Sequence, residues 1–149
     1  MRPSCTSEPP LLRCDMPSPT VAAVINTSPD TIEMLRVVLQ HAGMVVASAY
    51  TYQLRDGLID LATFMRQNNP AVVLYDIAPP YDANWALFEH LRSHEAMRNC
   101  PLVLTSTNAS YVEKLAGKDH PVYEIVGKPL DLDAIVRATK EALRSRPTR

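Results

Sequence analysis

Short continuous apolar runs alternate along this chain with segments whose apolar residues recur every three or four positions. Val21-Ala22-Ala23-Val24-Ile25 is the first run, and its lack of polar alternation is expected of a strand covered on both faces. Ser28, Pro29 and Asp30 follow it. They supply a hydroxyl cap, a proline suited to the first helical turn and a carboxylate at the positive end of the helix dipole. Ile32, Leu35, Val38 and Leu39 then keep helical spacing as far as Gly43, which stops the helix.

The alternation repeats to the end of the chain. Met44–Ala47 reads as a second strand and Leu58–Met65 as a second helix ending near Asn68-Asn69-Pro70. Ala71–Tyr75 predicts the third strand, and Trp85, Leu87, Phe88 and Leu91 the third helix. Leu102–Leu104 and Val122–Val126 predict strands four and five, with a short helix around Tyr111–Leu115 between them. Ile135, Val136, Ala138, Thr139, Ala142 and Leu143 mark a closing helix begun by Asp131 or Asp133. Strand–helix alternation of this kind implies right-handed crossovers and a parallel sheet covered on both faces. The expected fold class is α/β, a doubly wound five-stranded parallel sheet of (βα)5 order in a single domain.

Composition adjusts this picture only at the ends. The 149 residues suit one domain. Residues 1–19 carry Pro3, Pro9, Pro10, Pro17 and Pro19, which oppose regular helix and central strand, so they read as a disordered leader. Residues 20–144 form the expected domain, and 145–149 a frayed basic tail. Translation from Met1 or from Met16 fits equally well. A formal net charge of −1 gives no long-range attraction to nucleic acid or anionic membrane, and no apolar run approaches the ~20 residues of a membrane span. Cys5, Cys14 and Cys100 have no metal-like spacing and read as reduced thiols. The expected location is the cytoplasm.

Ligands of open parallel sheets bind beyond the carboxyl ends of the strands. The polar residues there are Asn26-Thr27 after strand one, Asp76 after strand three, Ser106-Thr107 after strand four and Lys128-Pro129 after strand five. A carboxylate can attack a phosphoryl group and form an acyl phosphate, whose added negative charge suits a lysine and a hydroxyl donor. Asp76, Ser106 and Lys128 supply these three groups. The same trio is equally what a structural ion pair at the strand ends presents.

Residues 20–144 resemble the receiver domain of two-component response regulators, a flavodoxin-like fold. The motifs that carry the resemblance are Val-Val-Leu-Tyr-Asp76, Pro101-Leu-Val-Leu-Thr-Ser106 and Val-Gly-Lys128-Pro129. Ser106 lies 30 and Lys128 52 residues after Asp76, spacings that suit the family without a gap. They favour Ser106 as the switch hydroxyl, with Thr105 as the alternative. The resemblance implies that Asp76 accepts a phosphoryl group from a histidine kinase or phosphotransfer protein. It implies that Lys128 contacts that group and that Lys128-Pro129 is a cis bond.

Two departures stand out. Receiver domains hold Mg²⁺ with adjacent acidic residues after the first strand, where this chain has Asn26-Thr27. That leaves Asp76 as the only obvious anionic ligand, a poor donor set for Mg²⁺. Three positions before the lysine the family often has an aromatic residue, and here it is Ile125, with Tyr123 two residues earlier. Thr107 fills a place often held by a small residue and is expected at the pocket rim with Asn26 and Thr27.

Other signals are weaker. His90 and His94 stand one helical turn apart without a third ligand, the pattern of a solvated face. Trp85, Phe88 and Leu91 read as core. No glycine-rich phosphate loop occurs. The expected function is signalling by protein–protein interaction in a two-component phosphorelay, through another chain and without enzymatic turnover. Asp76 either accepts a phosphoryl group or belongs to a degenerate receiver that binds its partner without phosphorylation.

Overall fold

The computed structural model describes residues 19–117 and 131–144, together with the backbone of 124–127. Residues 1–18 of the leader, the 145–149 tail, Tyr123, Lys128 and the Lys128-Pro129 bond lie outside the described residues. In chain order the elements are β1 (Thr20–Asn26), α1 (Pro29–His41), β2 (Met44–Tyr50), α2 (Thr51–Arg55), α3 (Leu61–Asn68) and β3 (Val72–Ile77). There follow α4 (Tyr81–Arg92), a 3₁₀ turn (Glu95–Met97), β4 (Leu102–Ser106), α5 (Ala109–Ala116), β5 (Glu124–Gly127) and α6 (Leu132–Arg144). The fold is α/β, with all strands parallel in the order β2-β1-β3-β4-β5. The order reverses between β1 and β3, which makes their carboxyl ends the topological switch point.

Local chemistry sets the helix ends. Ser28 Oγ accepts the Thr31 amide at 3.2 Å, Asp60 Oδ2 the Thr63 amide at 3.0 Å, and Asn108 Oδ1 the Tyr111 amide at 3.2 Å. Asp131, of the two aspartates expected there, starts the closing helix, its Oδ1 accepting the Ala134 amide at 3.2 Å. Gly43, at φ +92°, makes the turn from α1 into β2, a backbone region that costs a side chain about 1–2 kcal/mol.

Two apolar layers sandwich the sheet. Val24, Val72, Leu74 and Val103 pack with Leu35 and Leu39 of α1 and Ile135 of α6. Alternate residues of the same strands, Ile25, Tyr75, Ile77 and Leu104, pack with Trp85, Phe88 and Leu91 of α4. Trp85, Phe88 and Leu91 are therefore core, as their spacing suggests.

The second helix differs from expectation. Leu58 is exposed, and Asp60 rather than Leu58 begins α3. A five-residue helix, α2, precedes it and has no counterpart in the sequence reading; its Gln53 side chain accepts the Tyr50 amide at 2.9 Å. β2 also runs three residues further than the apolar stretch Met44–Ala47 indicates, because it pairs with β1 up to Asn26↔Tyr50. β3 likewise continues to Ile77, so Asp76 sits within the strand.

Candidate functional site

The site is built from adjacent strand ends. Asp76, in β3, is 2% exposed, and Asn26, the last residue of β1, is 1% exposed. Asp76 stands directly across from Thr105 of β4, and the Thr105 hydroxyl donates to Asp76 Oδ1 at 2.5 Å. Strand alternation explains the meeting. Val24, Val72, Leu74 and Val103 all face the α1–α6 layer, so two-residue steps carry Asn26, Asp76 and Thr105 to that same face.

Ser106, the hydroxyl that the gap-free spacing favours, lies one residue further along β4. It stands opposite Ile77 and faces the other layer. Its hydroxyl donates to the Ile77 carbonyl at 2.9 Å and accepts the Asn108 amide at 3.1 Å. Both bonds fasten the β4–α5 turn, and the hydroxyl beside Asp76 is that of Thr105. The physical reason is parity: a one-residue step along a strand crosses the sheet.

At the rim, Thr107 is exposed and its hydroxyl pairs with the Tyr81 phenol at 2.5 Å. This joins the β4–α5 turn to the start of α4. Tyr111 extends the joint: its hydroxyl donates to Asp82 Oδ1 at 2.6 Å, and its ring lies edge-on to Tyr81 at 5.9 Å. Hydrogen bonding to Asp82, with burial and the charge of Asp82 adding to it, raises the Tyr111 phenol above its ordinary pKa. Sequence reasoning missed Tyr81 and Asp82 because neither belongs to a recognisable motif. The sole hint was Thr107, a hydroxyl where a small residue is usual.

The resemblance implies Mg²⁺ at this edge, and the donors present do not suit it. Asn26 offers a neutral amide whose oxygen already accepts the Ser28 amide at 3.0 Å. Thr27 offers a hydroxyl on an exposed turn. Asp76, the carboxylate that ends this part of the sheet among the described residues, is buried and already takes the Thr105 hydroxyl on Oδ1. Among the described residues no three His, Cys, Asp or Glu side chains gather, His90 and His94 included. A cation that favours carboxylates and keeps its waters finds little here.

No family model and no curated protein matches this sequence. Solved structures do. A chemotaxis protein of Vibrio cholerae superposes with a TM-score of 0.65 at 19% identity, covering 84% of this chain and 99% of its own. A response regulator of Thermotoga maritima gives 0.67 at 17% identity, covering 86% and 100%. The N-terminal signal receiver domain of a response regulator from Bacteroides fragilis gives 0.66 at 18%, covering 85% and 98%. The fold is the receiver fold. Within that receiver scaffold, Asp76 and Thr105 form the polar pair at the carboxyl edge of β3 and β4. Among the described residues no helix is long and apolar enough to cross a membrane.

Proposed function

We propose that this chain is a receiver-type signalling module of a two-component phosphorelay that acts by binding another protein, with Asp76 as its phosphoryl acceptor. What supports the reading most is the Asp76–Thr105 pair at the carboxyl edge of a receiver sheet. In the proposed step an Asp76 carboxylate oxygen attacks the phosphorus of a phosphohistidine on a kinase or phosphotransfer protein. The P–N bond breaks, the imidazole leaves and takes up a proton, and an acyl phosphate remains on Asp76. Thr105 then donates its hydroxyl to a phosphoryl oxygen, and Lys128 balances the added charge. The module carries the group and is not an enzyme that turns over substrate. Its proposed place is the cytoplasm.

A second reading, partner binding without phosphorylation, is favoured by Asn26, whose neutral side chain is tied to the Ser28 amide where the family has a metal-binding acid. Without metal assistance the barrier rises by several kcal/mol, and at about 1.4 kcal/mol per tenfold the transfer slows by a few orders of magnitude. The two readings separate in one experiment: incubation with acetyl phosphate, with and without Mg²⁺, followed by intact-mass measurement. The first predicts a slowly formed phosphoryl adduct, indifferent to Mg²⁺ and lost in Asp76→Ala. In Asn26→Asp/Thr27→Asp the adduct forms faster and depends on Mg²⁺. Native protein that stays unmodified while the double variant is modified supports the second reading instead.

A further inference from the structure

Asn26 brings more to the sheet edge than the loss of a metal-binding acid. β1 and β3 run in register as far as Ile25↔Tyr75, so the next residues along are Asn26 and Asp76, on strands about 4.8 Å apart. Thr105 stands across from Asp76 on the other side. Three neighbouring strands therefore bring an amide, a carboxylate and a hydroxyl into one row on one face of the sheet.

The amide has a fixed orientation. A backbone N–H must be met by an oxygen, so the 3.0 Å bond from the Ser28 amide holds Oδ1 at the turn and leaves Nδ2 on the other branch with two N–H donors. Among the described residues, that bond is the only one the Asn26 side chain makes. The side-chain nitrogens and oxygens that are both sealed from solvent and without a partner are, among the described residues, Thr51 Oγ1, Tyr75 Oη and Arg92 Nε. Asn26 Nδ2 is not one of them. Although the residue is 1% exposed, its nitrogen keeps accessible surface.

An ionised phosphoryl group presents acceptors only, and hydrogen bonds to it are charge-assisted. We propose that Asn26 is a catalytic residue for phosphoryl acceptance at Asp76. Its Nδ2 amide donates to a phosphoryl oxygen as the group arrives and holds it afterwards, opposite the Thr105 hydroxyl. Two preorganised neutral donors then meet, without a metal, part of the charge that develops in the transfer. The inference rests on the reading of Asp76 as acceptor. It gives the side chain at the family's metal-binding position a part of its own in the chemistry.

The experiment is the initial rate of adduct formation by the full chain with acetyl phosphate in EDTA, read by intact mass. Two variants separate the donor from its surroundings. Asn26→Asp keeps an oxygen for the Ser28 amide, loses the N–H groups and adds charge. Asn26→Ala loses the N–H groups and the turn bond without adding charge. Both are expected to be slower than native protein by about ten- to a hundredfold, the worth of one hydrogen bond to a charged group. In native protein the Asn26 side-chain amide protons, assigned by their absence from both variants, should move downfield on phosphorylation. A slow Asn26→Asp beside an unaffected Asn26→Ala would mean charge repulsion, and the reverse would mean that only the turn matters. Either result overturns the proposal, as do side-chain amide protons that stay in place. Native protein that forms no adduct overturns the acceptor reading and this inference with it. An adduct formed at the native rate in both variants overturns this inference alone.

Discussion

Tyr75 carries a phenol that is fully buried, has no hydrogen-bond partner among the described residues, and lies one residue from Asp76. Its ring earns its place against Phe88, with centroids 4.9 Å apart. Its hydroxyl is desolvated without return. Burial first, and the charge of Asp76 second, push the phenol well above its ordinary pKa near 10, so it stays protonated. Removing an unsatisfied buried group relieves a penalty of about 1–3 kcal/mol while the ring contact remains. Tyr75→Phe is therefore expected to stabilise the domain by about 1 kcal/mol, raising the melting temperature by roughly 2–8 °C. Thermal denaturation followed by circular dichroism checks this, and a lower melting temperature would show that the hydroxyl is stabilising. At this scale the sequence was only partly legible. Asp76 was found because a carboxylate ending an apolar run is conspicuous. Which of Thr105 and Ser106 faces Asp76 was not legible, because strands buried on both faces carry no alternation that would reveal it.

Elements were most legible where capping chemistry marks their ends. Ser28 with Pro29, and Asp131, place α1 and α6 as anticipated. The apolar pattern starts the second helix three residues early, because Leu58 continues the spacing while lying exposed and the capping carboxylate is that of Asp60. The tie between α4 and α5 was invisible, since Tyr81 and Tyr111 lie 30 residues apart and meet only after folding. That tie has a pH signature. Because the folded Tyr111 phenol is raised, it keeps its proton above pH 10, and the Asp82 bond contributes fully below the unfolded value. The contribution is lost as pH rises through the folded value. Ultraviolet titration should find a tyrosine titrating above 10 that returns towards 10 in Asp82→Ala. An unchanged titration would mean that Asp82 does not hold the phenol in solution. The expected change in stability is small, because the pair is exposed.

For the whole molecule, the two apolar layers share a single sheet, and that arrangement governs how the fold is lost. Val103 faces the α1–α6 layer while its neighbours Leu102 and Leu104 face the α4 layer. Neither layer can come apart without stripping one face of strands that the other layer needs. The single tryptophan, Trp85, reports from the α4 layer alone. Leu35 lies 1% exposed in the opposite layer. Truncating such a leucine removes buried methyl groups and leaves a cavity, which costs about 2–5 kcal/mol. Against a typical domain stability of roughly 5–15 kcal/mol, that is a large fraction. If the sheet couples the layers, Leu35→Ala should shift the urea midpoint of Trp85 fluorescence as far as that of far-ultraviolet circular dichroism, with the two transitions coincident in native and variant protein. A fluorescence midpoint that stays in place while the dichroism moves would mean that the layers unfold separately. Coincidence would mean that burial around Asp76 at the sheet edge is maintained by the packing of both faces, and that loosening either side exposes it only when the whole domain opens.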